Sequence, residues 1–181
     1  MHSTKPESPV GADMTNHVSA GAARAALVSD AAYPGVARAL IDAARSRCLL
    51  SMFIVELTGE EDAGTEDLVE ALSAASWRGV HTRVVLGGSR ENFPIAQAAV
   101  SARAILIAAN VPARWLTASP TTGSHAKFLI TDDIALLGSH NWTPGAFSGT
   151  QMQDSVAIDS PALAGVLHEK FEDQWHRAGG L

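Results

Sequence analysis

Two polar side chains interrupt the otherwise apolar run Ser124-His125-Ala126-Lys127-Phe128-Leu129-Ile130-Thr131-Asp132. The run reads as a β-strand, in which successive side chains alternate between faces. His125 and Lys127 then point one way, while Ala126, Phe128 and Ile130 point the other. An imidazole can act as a nucleophile or carry a proton, and an ammonium beside it can hold an anion. Asp132-Asp133 supplies turn residues, and Ile134 to Leu137 forms a return strand ending in Gly138-Ser139-His140-Asn141. The turn is expected to bring this second polar cluster back toward the first.

Each piece alone has a plain reading: a histidine among apolar residues is usually structural, and Asp-Asp is an ordinary hairpin turn. Their combination carries the argument. Of the other histidines, His2 and His17 fall in the N-terminal segment, His168 and His176 on the last helix, and His81 at a strand start. His140 neighbours the cluster but alternates away from Asn141. There is no His-x3-His, no cysteine pair and no clustered set of aspartates, so no metal site or cofactor is expected.

The elements that must position these groups alternate between short β-type runs and longer helical ones, which favours an α/β layered domain. Residues 1–20 mix Ser, Pro, Gly and Thr without apolar period and read as a flexible tail, leaving residues 21–181 as one domain. A strand at 23–28 precedes a helix from about Pro34 with Val36, Leu40, Ile41 and Ala44 at helical spacing. Cys48 to Val55 is nearly continuous in apolar residues, as expected of a central strand covered on both faces. Thr65 opens a helix with Leu68, Val69, Leu72 and Ala75 inward and its acids outward. Thr82 to Leu86 is a buried strand ending at Gly87-Gly88, and a helix runs from Pro94 to about Ala109. Ser160-Pro161 opens a last helix carrying Leu163, Leu167, Phe171 and Trp175, which Gly179-Gly180 closes.

Of the 181 residues, 46% are hydrophobic and 18% charged, a composition that folds rather than stays disordered. The apolar runs are too short to span a bilayer and no signal peptide is evident, so a cytoplasmic location is expected. Lone Cys48, beside Leu49 and Leu50, reads as a buried structural thiol. A net charge of −6 argues against a protein that coats polyanions. Residues 53–70 nevertheless hold seven acids and no base, whereas residues 71–131 hold Arg78, Arg83, Arg90, Arg103, Arg114 and Lys127 against Glu91 alone. That basic middle could form a positive field for an anionic substrate, or be no more than a set of surface arginines.

His125-x-Lys127-x4-Asp132 followed by Gly138-Ser139-x-Asn141 resembles the HKD signature of the phospholipase D superfamily. The resemblance extends from about Ala23 to Trp175, where the Phe171-x3-Trp175 helix is of a kind common in that family. It implies a mixed β-sheet flanked by helices on both faces. Two departures stand out. The family usually places six residues between the motif Asp and the Gly, and here Asp133 to Leu137 gives five, a deletion expected to be absorbed in the turn. The family also places a Glu about a dozen residues after its Asn, and this chain offers Asp154.

The resemblance implies a metal-independent phosphodiesterase. In that chemistry His125 attacks phosphorus to give a phosphohistidine, and Lys127, Ser139 and Asn141 neutralise charge on the phosphate oxygens. Asp154 would hold the far nitrogen of the His125 ring, and Asp132, of opposite strand parity, takes a structural role. Short single-motif members include nonspecific bacterial endonucleases, so nucleic acid is the expected substrate and a homodimer sharing one site the expected assembly. Phospholipid headgroup hydrolysis or transfer is the alternative among enzymes, although no basic amphipathic helix marks the chain for stable membrane association. A noncatalytic phosphate-binding scaffold of the same fold is the alternative outside them.

Overall fold

A computed structural model describes residues 23–57, 63–88, 91–116 and 124–178. The N-terminal segment, the acids Glu60 to Asp62, Arg90 and the closing Gly179-Gly180 lie outside the described residues. The chain order is β1 (Arg24–Ser29), a 3-10 turn (Asp30–Ala32), α1 (Tyr33–Ala43), β2 (Arg47–Met52), α2 (Ala63–Trp77), β3 (His81–Leu86) and α3 (Phe93–Ala108). It continues through β4 (Ala113–Trp115), β5 (Lys127–Thr131), β6 (Ile134–Gly138), α4 (Pro144–Phe147), β7 (Asp154–Asp159) and α5 (Pro161–Arg177).

One seven-stranded sheet runs β1-β7-β6-β5-β2-β3-β4. The β2–β3 and β3–β4 pairs are parallel, and the pairs β1–β7, β6–β7, β5–β6 and β2–β5 are antiparallel. Strand β2 is interior, as its apolar run requires, but its ladder stops at Met52 and the chain bends at Phe53. Alternation divides the core between two faces. Cys48, Leu50, Met52, Val84, Leu86, Leu129 and Leu136 pack with buried residues of α1, α2 and α3. Leu49, Val85, Phe128, Ile130 and Ala135 pack on the other side against Ala164, Leu167 and Phe171 of α5. Helices therefore cover both faces.

Glu66, Asp67 and Glu70 of α2 are exposed, while Leu68, Val69, Leu72 and Ala75 are buried, so the acids lie on the wet side. Ser160 caps α5 by accepting from the Leu163 amide. Cys48 is buried, and burial, reinforced by nearby Asp132, pushes its thiol up to about 12, so it stays a packed neutral group.

Candidate active site

The β5–β6 hairpin closes over the two residues Asp132-Asp133, with Thr131 opposite Ile134 and Phe128 opposite Leu137. The five-residue spacing is thus taken up in a tight turn. Continuing the ladder one step sets Lys127 opposite Gly138. On the far side Gly138 faces Ser155 of β7 so closely that a Cβ would stand 2.4 Å from the Asp154 carbonyl oxygen and the Ser155 Cα. Only glycine fits there, which gives the motif Gly a packing reason.

The hydrogen-bonded ladder of β5 begins at Lys127, so His125 sits on the extended segment just before the strand proper. Its ring is exposed and Lys127 is half-buried. The Lys127 Nζ lies 3.0 Å from His125 Nδ1 and 3.3 Å from the His125 carbonyl oxygen. An ammonium can only donate, so Nδ1 accepts and the neutral ring carries its proton on Nε2. Burial, then the Lys127 charge, lower the His125 pKa, and burial lowers that of Lys127. Phe53 completes the wall, its ring centroid 4.1 Å from that of His125 and 5.1 Å from the Lys127 ammonium. Sequence reasoning passed over Phe53 because it read the residue as part of an apolar strand.

Asp132 sits at the other end of the hairpin, seven residues along and roughly 20 Å from His125 at strand rise. With φ of 50° it turns the chain, and its carboxylate accepts from the amides of Arg45, Ser46 and Arg47 at 3.0, 2.9 and 3.1 Å and from the Ser46 hydroxyl at 2.6 Å. Burial alone would raise its pKa, but the Ser46 hydroxyl and these amides hold it down at about 2. It fastens the start of β2 to the turn.

Ser139 and Asn141 follow the end of β6. The Ser139 hydroxyl donates to the Asp154 carbonyl oxygen at 3.2 Å and accepts from the Asp154 amide at 3.1 Å, lacing β6 to β7. Asn141 is half-buried between buried His140 and buried Trp142, and its Oδ1 has no hydrogen-bond partner among the described residues. Trp142 donates to the Tyr33 hydroxyl at 3.2 Å, and its amide donates to the Ile54 carbonyl oxygen, which fixes the segment against the end of β2.

The expected contact between Asp154 and the His125 ring is not formed. The Asp154 carboxylate accepts from the Ser29 hydroxyl at 2.5 Å, because β1 pairs with β7 and sets Ser29 opposite Asp154. Ser155, of opposite parity, instead reaches the inner face, where its hydroxyl lies 2.8 Å from His140 Nδ1. His140 is 1% exposed and stacks on Tyr33 with centroids 4.4 Å apart, a packed residue rather than a free acid. His81 pairs with Arg47, whereas Lys127 pairs with Met52, so His81 lies at the opposite end of β2 from the His125 cluster.

The described arginines of the basic middle do not converge on His125. Arg83 pairs with Glu172 and lies over the Phe171 and Trp175 rings, Arg114 donates to the Trp175 carbonyl oxygen, and Arg103 donates to that of Ala113. Arg78 donates to the carbonyl oxygens of Ile41 and Asp42. Arg83, Arg103 and Arg114 thus tie helices to the sheet and Arg78 reaches α1, leaving Lys127 as the basic side chain beside His125 among the described residues. Among the described residues no group of three or more His, Cys, Asp or Glu could hold a metal ion, and no helix is long and apolar enough to cross a membrane.

The family model described as the cardiolipin synthase, PLD-like domain matches residues 37–175. No curated protein matches the chain. Among solved structures, Nuc of Salmonella typhimurium, a phospholipase D family member, superposes with a TM-score of 0.71 at 22% identity, over 87% of this chain and 97% of Nuc. NucT of Helicobacter pylori gives a TM-score of 0.65 at 15% identity, over 88% of this chain and all (100%) of NucT. Phosphatidylserine synthase of Haemophilus influenzae gives 0.64 at 15% identity, over 82% of this chain but 36% of that enzyme. The chain belongs to the phospholipase D superfamily.

Proposed function

We propose that this chain is a metal-independent phosphodiesterase that cleaves nucleic-acid phosphodiesters through a covalent intermediate on His125. The observation that carries the reading is the Lys127 ammonium 3.0 Å from His125 Nδ1, at an exposed position and with the His125 pKa lowered. A phosphodiester oxygen that docks on that ammonium takes the place of Nδ1 as its acceptor, which frees the Nδ1 lone pair beside phosphorus. In the first step a His125 nitrogen bonds to phosphorus and the bond to the leaving oxygen breaks, that oxygen taking a proton from a general acid. In the second, water attacks phosphorus and returns a proton to that group, the nitrogen–phosphorus bond breaks, and a phosphomonoester leaves. Lys127, Ser139 and Asn141 are assigned to the phosphate oxygens. Asp132 serves the hairpin. Asp154 is assigned to the His125 ring only if its carboxylate leaves Ser29 in the working state.

The acid must approach from the side of phosphorus opposite His125. Within the described chain His140 is packed and His81 is distant, which favours a second copy of the chain whose own His125 serves. A two-fold axis close to His125 makes the residue meet its twin. The match covers nearly the whole of Nuc and NucT, so the fold shared with them is about the size of this one chain.

Phospholipid headgroup hydrolysis or transfer is the second reading, favoured by the cardiolipin synthase description of the family and by the phosphatidylserine synthase neighbour. The purified protein, assayed with EDTA on single-stranded DNA, duplex DNA, RNA and phosphatidylcholine vesicles, separates the two. Cleavage of nucleic acid alone supports the first reading, and cleavage of lipid alone replaces it with the second. Absence of turnover on all four and on bis-p-nitrophenyl phosphate leaves the scaffold.

A further inference from the structure

The side of α5 that meets the sheet carries Ala164, Leu167, Phe171 and Gln174, all buried. Three are apolar and one is an amide, 7% exposed. A buried amide costs free energy unless both its ends are paired, and an apolar side chain would satisfy packing without that demand. Gln174 is paired at both ends. Its Oε1 accepts from the Ser51 hydroxyl at 2.7 Å, and its Nε2 donates to the Ser124 hydroxyl at 3.2 Å. Ser124, itself 8% exposed, is the residue immediately before His125. The same Ser124 oxygen accepts from the Ala126 amide at 3.3 Å, so one hydroxyl ties together the residues on either side of His125.

A second contact fixes the same residue. At Gly87, just past β3, a Cβ would stand 2.3 Å from the Ser124 carbonyl oxygen, so that backbone is seated on a glycine. Ser51 pairs with Phe128 in the ladder and shares the α5 face, whereas Lys127 belongs to the other. Gln174 thus grips the segment from behind the sheet without reaching the His125 ring.

We propose that Gln174 is a positioning residue, which sets the backbone of His125 through Ser124 and so holds the imidazole beside the Lys127 ammonium. This rests on the reading of His125 as nucleophile, but the grip itself can be measured without turnover. Gln174→Met keeps the volume and removes both hydrogen-bonding ends. Its kcat on bis-p-nitrophenyl phosphate is expected to fall roughly tenfold with KM changed less than twofold, the pattern of a displaced reacting group rather than a lost binding contact. Ser124→Ala should reproduce the loss, and the double variant should be no worse than either single one, because both break one bridge. Ring NMR signals of His125 should titrate differently from wild type in each variant. A Gln174→Met protein that is less stable to heat yet keeps kcat within twofold and an unchanged His125 titration overturns the proposal. If the wild type cleaves nothing, a changed His125 titration in Gln174→Met still supports the positioning role, and the failure falls on the phosphodiesterase reading alone. Should Gln174→Met not fold, Ser124→Ala carries the same two readouts.

Discussion

The Lys127 ammonium lies 3.0 Å from His125 Nδ1, a contact within reach because an extended segment puts residues two positions apart on one face. The contact keeps the imidazole neutral, since a protonated ring beside an ammonium is disfavoured. His125 is therefore expected to titrate below the ordinary histidine range, as measured by ring NMR. Lys127→Met should move that titration upward, though not all the way, because burial is the larger cause and remains. An unmoved titration would show that the two side chains are apart in solution. Under the phosphodiesterase reading the acid limb of kcat should shift with it.

Asp132 predicts a stability effect separate from catalysis. A carboxyl held at about 2 contributes stability above its unfolded value near 4, and loses it as pH falls from there toward 2. Discounted for partial exposure, Asp132→Asn should cost about 2 kcal/mol at neutral pH, or about 4–8 °C in Tm. The gap between variant and wild type should close at pH 2. Equal Tm values at pH 7 would remove Asp132 as the fastener of β2.

Asp154 and Ser29 give a prediction that separates two roles. With its carboxylate on Ser29, Asp154→Asn should leave the His125 ring titration in place and lower Tm by no more than Ser29→Ala does, Asp154 being exposed and Ser29 half-buried. A displaced His125 titration in Asp154→Asn alone would mean that the carboxylate reaches the ring in the working state.

The shared-site assembly is tested by mixing. Equal amounts of wild type and His125→Ala, refolded together, should give about half the activity of the same wild type refolded alone, because only about a quarter of random pairs keep both histidines. Undiminished activity in a mixture shown to have exchanged subunits would contradict a shared site.

Much of this architecture is legible in the sequence where apolar period is strong, as in β2, α2 and α5. The His125–Lys127 pair is legible for the same reason, since parity alone aligns the two. Strand β4 is not, because three residues, Ala113-Arg114-Trp115, are too few to show alternation. The partner of Asp154 is hidden because it depends on β1, 125 positions earlier, pairing with β7. Spacing within the motif cannot report that. The arginines of the middle segment read as a field, yet three-dimensional packing spends Arg83 and Arg114 on α5. Gln174 did leave a signal, a single amide on an otherwise apolar stripe, which the Phe171 to Trp175 spacing overshadowed.

Metal independence follows from assigning the phosphate charge to Lys127 and the hydrogen-bonding residues. Hydrolysis of bis-p-nitrophenyl phosphate should proceed at an unchanged rate in excess EDTA. Loss of activity with EDTA, restored by one divalent ion, would replace His125 attack with metal-assisted hydrolysis.

The central claim is a covalent bond between His125 and phosphorus. Its most direct test is to quench bis-p-nitrophenyl phosphate turnover within the first turnovers and sequence the peptides by mass spectrometry under alkaline conditions. The account predicts a p-nitrophenylphosphoryl adduct on the peptide spanning Ser124 to Lys127, localised to His125, and no adduct or turnover in a folded His125→Ala variant. An adduct on another residue, or full turnover by that variant, would contradict it.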